Sequence, residues 1–408
     1  MIKRASALAA TLALAAPAAA DAGFKEPVKV LWQHTGEQDR YYAWGVAPLK
    51  DIDRDGADDV IAGEPGVFGS DDPGWAWVQS GRTGRVIHRF EGKAGDQNGF
   101  AITDAGDIDR DGRHDILSGA PRQNSDTEGH AYLYSGRKGT LLHAFAGEVS
   151  GDGFGAAVTS ADVNRDGRSD LVVGAPFHPG GGRAYVFSGR TFRLLYTIPA
   201  PDPDHAFGYG TGMTEDVDRD RHPDLIVGGG GAAYVFSGRT GTLLYPLPPP
   251  AVPQSFGTFF LAGVGDLNHD HVPDVYGADY GAGDNGANSG YAGVYSGRDG
   301  TLLRSWTGAA GDGLGPGRGA GDVNFDRVND ISVGSYLNSD GGLNAGKIQL
   351  FSGRTGRRLR TITSTTAGEQ LGFDAVGIGD VNRDRKPDLL ASAAEGDTLY
   401  VIAGTGRR

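Results

Sequence analysis

Short apolar segments alternate with polar turns along the whole chain, in a unit that recurs every 50 to 58 residues. In the third unit the segment from Ala156 to Asp162 alternates small and apolar residues. The β-branched run 171–173 and the segments 183–187 and 194–198 follow it. Alternation and short β-branched runs are typical of strands, and no segment longer than about ten residues has a helical period. The pattern predicts four strands in each unit and an all-β fold.

The length and number of the units predict the architecture. Four strands in roughly 50 residues make one blade of a propeller. The units cover approximately residues 41–92, 99–147, 153–200, 206–247, 255–307, 313–364 and 371–404. Because each blade buries its faces only against its neighbours, we expect residues 23–408 to form a single domain. The predicted fold is a seven-bladed β-propeller with four antiparallel strands per blade.

The two ends of the chain are predicted to meet in the last blade. The seventh unit stops after its third strand, near residues 399–403. The segment 28–36, which precedes the first unit, resembles a fourth strand without a blade of its own. We expect this N-terminal strand to close the last blade, which removes free sheet edges.

An acidic box of nine residues follows the first predicted strand of every unit, as in the sequence DIDRDGADD that begins at Asp51. Ca²⁺ prefers oxygen ligands, and a loop of this kind turns its first, third and fifth side chains inward. A carbonyl from the seventh residue and a carboxylate from the ninth can complete the shell. The predicted Ca²⁺ ligands are Asp51, Asp53, Asp55, Ala57, Asp59, Asp107, Asp109, Asp111, Arg113, Asp115, Asp162, Asn164, Asp166, Arg168, Asp170, Asp216, Asp218, Asp220, Asp224, Asp266, Asn268, Asp270, Asp274, Asp322, Asn324, Asp326, Asp330, Asp380, Asn382, Asp384 and Asp388, where Ala57, Arg113 and Arg168 offer carbonyl oxygens.

Two other interpretations compete with a calcium site. An EF-hand needs a glutamate at the twelfth position and flanking helices. That position holds Ala62, Ser118 or Val173 in the first three boxes, and the boxes lie between strands. Plain polar turns are also rich in aspartate. Seven turns that repeat the same constrained positions nevertheless favour a metal site.

Glycine at two recurring positions is predicted to provide left-handed backbone, which other residues adopt at a cost. The sixth residue of the box is glycine only in the first three boxes. We therefore expect those boxes to bind the ion best, and the fourth box, with four aspartates, to come next. A Ser-Gly-Arg turn, such as Ser80-Gly81-Arg82, joins the third and fourth strands, and its glycine is predicted to supply the positive φ of a hairpin turn.

The charge of the chain is concentrated in the boxes. The net charge is −13, from 38 basic and 51 acidic residues. The first, third, fifth and ninth box positions hold 24 aspartates, without which the chain would be net positive. No basic patch supports binding to nucleic acid. The chain contains no cysteine, so its stability does not come from disulfides.

Residues 1–22 are predicted to be a signal peptide. Lys3 and Arg4 precede a short apolar run over residues 5–16, and small-x-small cleavage sites follow. No later segment is long enough to span a bilayer. We therefore expect a secreted protein, extracellular or periplasmic, that is monomeric and does not insert into a membrane.

The repeat resembles the FG-GAP repeat of the integrin α-chain N-terminal propeller. The resemblance is carried by Gly153-Phe154-Gly155, Gly174-Ala175-Pro176 and the box between them, and it covers roughly residues 28–404. It implies a seven-bladed propeller with calcium in the loop joining strands one and two of several blades. Later units depart from the motif: Leu314 replaces the phenylalanine of the sixth unit, and Ser392-Ala393-Ala394 replaces the Gly-Ala-Pro triplet of the seventh.

Three functions fit this pattern. The first is a non-enzymatic binding or adhesion module with structural calcium and an extracellular protein or glycan as partner. Its ligand would bind at the end opposite the boxes, where loop lengths vary most. Tyr41, Tyr42, Trp44, Trp75 and Trp77 are candidates for stacking on that ligand, or for ordinary packing between blades. The alternatives are an exported polysaccharide lyase or hydrolase that uses the channel, and a purely architectural surface protein.

Overall fold

The computed structural model describes residues 23–122, 127–203 and 205–405, which form 28 strands and one 3-10 turn at Ala394–Gly396. The predicted signal peptide lies outside the described residues. The first fourteen strands are β1 Val30–Thr35, β2 Val46–Leu49, β3 Asp59–Glu64, β4 Trp75–Gln79, β5 Val86–Glu91, β6 Ala101–Gly106, β7 Asp115–Ala120, β8 His130–Tyr134, β9 Leu141–Ala146, β10 Ala157–Ala161, β11 Asp170–Ala175, β12 Arg183–Phe187, β13 Leu194–Pro199 and β14 Gly210–Thr214. The others are β15 Asp224–Gly229, β16 Ala232–Phe236, β17 Leu243–Leu247, β18 Leu261–Gly265, β19 Asp274–Asp279, β20 Tyr291–Tyr295, β21 Leu302–Thr307, β22 Gly319–Gly321, β23 Asp330–Ser335, β24 Lys347–Phe351, β25 Arg358–Thr363, β26 Asp374–Gly379, β27 Asp388–Ala393 and β28 Thr398–Ile402.

The strands form seven antiparallel sheets of four, and the sheets close into a ring. Six sheets each contain four consecutive strands, such as β2-β3-β4-β5, whereas the seventh has the order β1-β28-β27-β26. The innermost strands contact one another in sequence around the ring, and β26 of the seventh blade also contacts β2 of the first. The predicted seven-bladed propeller is therefore confirmed, and the N-terminal strand completes the last blade as expected.

The core of the propeller lies between blades. The second strand of every blade, such as β11, is buried along its whole length. Because successive side chains of a strand point to opposite faces, Leu171 and Val173 pack toward the second blade, while Val172 packs toward the fourth. Each of the seven hydrophobic clusters in the described residues contains side chains from two consecutive blades. No blade therefore buries its own core alone.

A recurring polar contact joins six of the seven outer strands to the next blade. The third residue of the fourth strand reaches the carbonyl oxygen of the turn glycine in the following blade. His88 Nε2 lies 2.7 Å from the Gly136 oxygen, and Trp32 Nε1 on the N-terminal strand lies 2.7 Å from the Gly81 oxygen. The equivalent pairs are Tyr196 with Gly238, Tyr245 with Gly297, and Arg304 with Gly353, while Arg360 contacts Ala403. The contacts connect neighbouring blades at the outer edge of the ring.

The prediction for the Ser-Gly-Arg turn was wrong about its glycine. The second residue of the turn does not have positive φ in any blade, whereas the fifth does in the first six blades, as Gly84 shows with a φ of 70°. Glycine is needed at the second place because a Cβ there would collide with the carbonyl oxygen of the eighth box residue, which is Asp58 for Gly81. The requirement is close approach of two backbone segments, which the sequence does not reveal.

Among the residues described, the chain has no helix with the length and apolar character needed to cross a bilayer.

Candidate functional site

All seven acidic boxes lie at one end of the ring. Each box leaves the C-terminal end of the innermost strand, and its ninth residue begins the second strand, as Asp59 does in β3. The innermost strand has the same place in every sheet. The opposite end of the ring carries the segments that lead into the innermost strands, and these segments surround the mouth of the central channel.

The backbone of the seven boxes follows one path. The fourth residue has φ between 58° and 67°, and the sixth has φ between 64° and 84°, in every box. The sixth N–H donates to the first aspartate: Gly56 N lies 2.8 Å from Asp51 Oδ2, and Arg221 N lies 2.7 Å from Asp216 Oδ2. The later boxes hold the same turn without glycine, at a cost of about 1–2 kcal/mol each. The left-handed fourth residue was not anticipated from the sequence.

The ninth aspartate ties the box to the hairpin turn of the same blade. Asp59 is fully buried, and its Oδ2 accepts the Ile52 N–H at 2.8 Å while its Oδ1 accepts the Gly81 N–H at 3.2 Å. The turn glycine donates to the ninth aspartate in all seven blades. This carboxylate therefore has a structural role in addition to its predicted role as a metal ligand.

Burial raises the pKa of the seven ninth-position aspartates, to about 7 for Asp59 and about 6 for the other six. The backbone N–H donors oppose the rise, and neighbouring box carboxylates add to it in most boxes. A divalent cation would favour the ionised form of these groups, because an opposite charge nearby stabilises a carboxylate.

The third position separates the boxes into two groups. In boxes one, two and four, carboxylate oxygens of the first, third and ninth residues lie within 4.8 Å of one another. Boxes three, five, six and seven have asparagine at the third position, and its Nδ2 donates to the ninth carboxylate at 3.0 to 3.4 Å. By this criterion box three groups with boxes five, six and seven, whereas its sixth-position glycine had grouped it with boxes one and two.

Box two provides a test of whether these residues fit a cation. Both carboxylate oxygens of Asp111 are buried, and neither has a hydrogen-bond partner in the described part of the chain. Lys138 Nζ lies 2.9 Å from Asp109 Oδ2 and 3.7 Å from Asp111 Oδ2, so the side chains already attract a positive charge. A donor set of oxygen atoms only is the kind that Ca²⁺ prefers. The residues of box two fit Ca²⁺, which Asp107, Asp109, Asp111 and Asp115 would hold.

Two side chains at the seventh position of the box connect consecutive boxes. Arg113 Nε donates to the Ile52 carbonyl of the preceding blade at 2.6 Å, and His222 Nδ1 lies 2.6 Å from the Val163 oxygen. These side chains join consecutive boxes, which leaves the carbonyl oxygens predicted at Ala57, Arg113 and Arg168 as the groups that this position can offer to an ion.

Aromatic rings surround the channel mouth at the other end. The centroid of Trp44 lies 4.7 Å from Phe373, 5.8 Å from Phe100 and 6.4 Å from Phe259, so rings from four blades contact one another. Three of the rings are half-buried and Phe100 is buried. Phe100 and Phe373 directly follow the glycine that opens their innermost strand. The two rings therefore occupy the same place in blades two and seven, a place that the sequence pattern had not connected with the channel mouth.

The other aromatic candidates are divided between this end and the core. Tyr41 packs on Trp44, with centroids 5.8 Å apart, whereas Tyr42 is fully buried. Trp75 and Trp77 lie on β4 and flank the guanidinium of Arg89 at 3.4 and 4.4 Å. Ordinary packing therefore accounts for Tyr42 and Trp77, and Trp44 is the candidate that lines the mouth.

An ion pair between a half-buried arginine and a buried carboxylate lies directly beneath the rings. Asp374, the residue after Phe373, is 4% exposed, and its Oδ2 accepts Arg318 Nη2 at 2.5 Å. The same Nη2 donates to the Val46 carbonyl at 2.7 Å. Burial raises the pKa of Asp374, and the adjacent Arg318 opposes that rise. Sequence analysis had not singled out this pair, whose members belong to different blades.

Comparison with known proteins supports the FG-GAP assignment. The FG-GAP repeat family matches residues 154–187, and the FG-GAP-like repeat family matches residues 216–277. Integrin alpha pat-2 of Caenorhabditis briggsae is 30% identical over 42% of this chain and 16% of its own length. Integrin alpha-4 of Xenopus laevis is 32% identical over 33% of this chain and 14% of its own length. Integrin alpha-3 of Cricetulus griseus is 32% identical over 41% of this chain and 18% of its own length.

The fold defines the class of protein as a seven-bladed β-propeller, and two regions of it match FG-GAP repeat families. Within that class the chain resembles the integrin α-chains, as the sequence had indicated. The matched region spans less than a fifth of the length of these relatives.

Proposed function

We propose that this protein is a secreted, calcium-binding propeller that acts as a non-enzymatic binding or adhesion module. The observation that carries the proposal is the difference between the two ends of the ring. Seven acidic boxes occupy one end, and half-buried aromatic rings surround the channel mouth at the other. The resemblance to integrin α-chains supports a binding role, and the partner is an extracellular protein or glycan.

The calcium has a structural role in this proposal. The box is joined to the hairpin turn by its ninth aspartate, and the turn is joined to the preceding blade by the outer-strand contact. An ion at the box would neutralise carboxylates that otherwise repel one another and would hold this joint together. An ion that binds only the native state stabilises it by about 2.7 kcal/mol per site at a hundredfold excess over Kd.

Ligand binding is assigned to the end with the aromatic rings. Side chains there are accessible in part and come from different blades, so that one ligand can contact several blades at once. Exposed apolar and aromatic surface of this kind is a feature of interaction sites. In this proposal the protein acts as a monomer, does not bind nucleic acid and does not insert into a membrane.

Two measurements test the proposal. Elemental analysis of the purified protein should find calcium, and a chelator should lower the melting temperature, with added calcium restoring it. A screen against extracellular proteins and glycans should give a ligand whose binding is lost when Trp44 is replaced by alanine. A melting temperature unchanged by the chelator would contradict the calcium role, and turnover of a bound glycan would contradict the non-enzymatic role.

A further inference from the structure

The channel mouth contains a cavity whose lower wall is polar. The cavity has a volume of about 590 Å³ including its open side, and all seven blades contribute to its lining. Trp44, Phe259 and Phe373 form its upper wall, and Asp374, Arg318 and Thr211 lie among the residues that line it below.

Three polar atoms of this lining lack partners. Asp374 Oδ1, Arg318 Nε and Thr211 Oγ1 are buried, and within the described residues none of the three has a hydrogen-bond partner. Asp374 is 4% exposed and Thr211 is 8% exposed, so both are more than nine-tenths buried. Buried polar atoms without partners are rare in proteins because each lost hydrogen bond is costly. Three of them belong to residues that line one cavity, which makes this cavity a candidate site for a polar ligand.

The charges and donors of the cavity identify the kind of ligand. Asp374 and Arg318 form an ion pair, so the lower wall is neutral overall and does not favour a cation or an anion. The free atoms are one acceptor, one donor and one hydroxyl, which can do both. Hydroxyl groups on a ligand match this mixed set, because each hydroxyl donates one hydrogen bond and accepts others. The aromatic rings above offer apolar faces to the C–H groups of the same ligand.

We propose that the channel mouth binds a neutral sugar residue at the end or branch of a glycan. The sugar would stack on Trp44 and its neighbouring rings and place hydroxyl groups on Asp374, Arg318 and Thr211. The inference rests on the proposed function, since it assigns the ligand class of the same end of the ring. A lysine or arginine side chain is not the expected occupant, because the ion pair leaves the lower wall without a net negative charge to attract it.

The experiment compares two isosteric variants of one strand. Thr211 lines the cavity, whereas Thr214, whose hydroxyl is also buried and unpartnered, lies outside the cavity lining. Neither Thr211→Val nor Thr214→Val removes a hydrogen bond within the described protein, so both variants should fold, as circular dichroism and melting will verify. The probes are a glycan array, then methyl glycosides of neutral hexoses, deoxyhexoses and N-acetylhexosamines titrated by saturation-transfer NMR, with arginine methyl ester as the cationic probe.

The expected result is binding of at least one neutral glycoside, weakened tenfold or more by Thr211→Val and unchanged by Thr214→Val. Arg318→Lys should weaken it as well, because lysine has no counterpart of the Nε donor. Binding of arginine methyl ester in preference to every glycoside would overturn the inference, and so would glycan binding that Thr211→Val leaves unchanged. A protein that binds an extracellular protein but no glycan would also overturn it, while the proposed binding module would stand.

Discussion

Replacing the turn glycine Gly136 by alanine should destabilise the propeller far more than its backbone angles imply. The φ of Gly136 is not in the left-handed region, so alanine meets no conformational penalty there. A Cβ would, however, collide with the carbonyl oxygen of His114. The Gly136 N–H donates to buried Asp115 at 3.0 Å, and its carbonyl oxygen accepts the contact from His88 at 2.7 Å. Any shift that relieves the collision disturbs both bonds.

The expected loss follows from two terms. Inserting a methyl group into a packed site costs about 1–3 kcal/mol. Weakening a hydrogen bond to a buried carboxylate costs about 1.5–3 kcal/mol more. We therefore expect Gly136→Ala to lower the free energy of unfolding by about 2.5–6 kcal/mol, measured by urea unfolding followed through tryptophan fluorescence.

Two further variants separate close approach from backbone conformation. Gly112 has a φ of 84° and no neighbouring atom within 4 Å of an added Cβ, so Gly112→Ala should cost only about 1–2 kcal/mol. Gly136→Asn should be as damaging as Gly136→Ala, although asparagine tolerates positive φ well. If Gly136→Asn retained the stability of the native chain, or if Gly136→Ala cost no more than Gly112→Ala, the steric explanation would be refuted.

Three other predictions concern single features of the ring. Arg221→Gly should raise the free energy of unfolding by about 0.5–1 kcal/mol in the same urea assay. Removing the left-handed arginine relieves about 1–2 kcal/mol, which exceeds the entropic cost of glycine, about 0.5–1 kcal/mol. A loss of stability would contradict the assignment of backbone strain to Arg221. Trp32→Phe should cost about 1–3 kcal/mol, because it leaves the Gly81 carbonyl without its indole donor at 2.7 Å; Trp306→Phe, which removes a longer bond of 3.2 Å, is the control and should cost less. Removing residues 23–35 should expose the edge of β28 and produce aggregation on gel filtration, and a monomeric, fully folded product would refute the role of β1 as the closing strand.

The fold was predictable because its determinants are local and repeated. The short apolar run from Leu171 to Val173 predicts a strand, and seven copies of one unit predict a ring. The Ser-Gly-Arg glycine was misinterpreted for the opposite reason. Gly81, for example, must be small because the carbonyl of Asp58 lies against it, more than twenty residues away in sequence. No local sequence pattern records that contact.

The two ends of the ring also differ in how far their sites could be predicted from local sequence. The acidic boxes are contiguous in sequence, so their ligand pattern could be predicted, although the division between aspartate and asparagine boxes depends on how Asn164 reaches Asp170. The channel mouth is assembled from residues that are far apart in the chain. Arg318 and Asp374 meet only because the sixth and seventh blades are neighbours, and Thr211 reaches the same cavity from the fourth.

The contacts around one box explain how an ion there would act on the ring. Asp115 joins box two to the turn at Gly136, and that turn accepts the contact from His88 in the first blade. Arg113 in the same box donates to the Ile52 carbonyl of box one. Both contacts join the second blade to the first. Loss of an ion from box two should therefore loosen the interface between blades one and two before any other, since distant blades share no side chain with it.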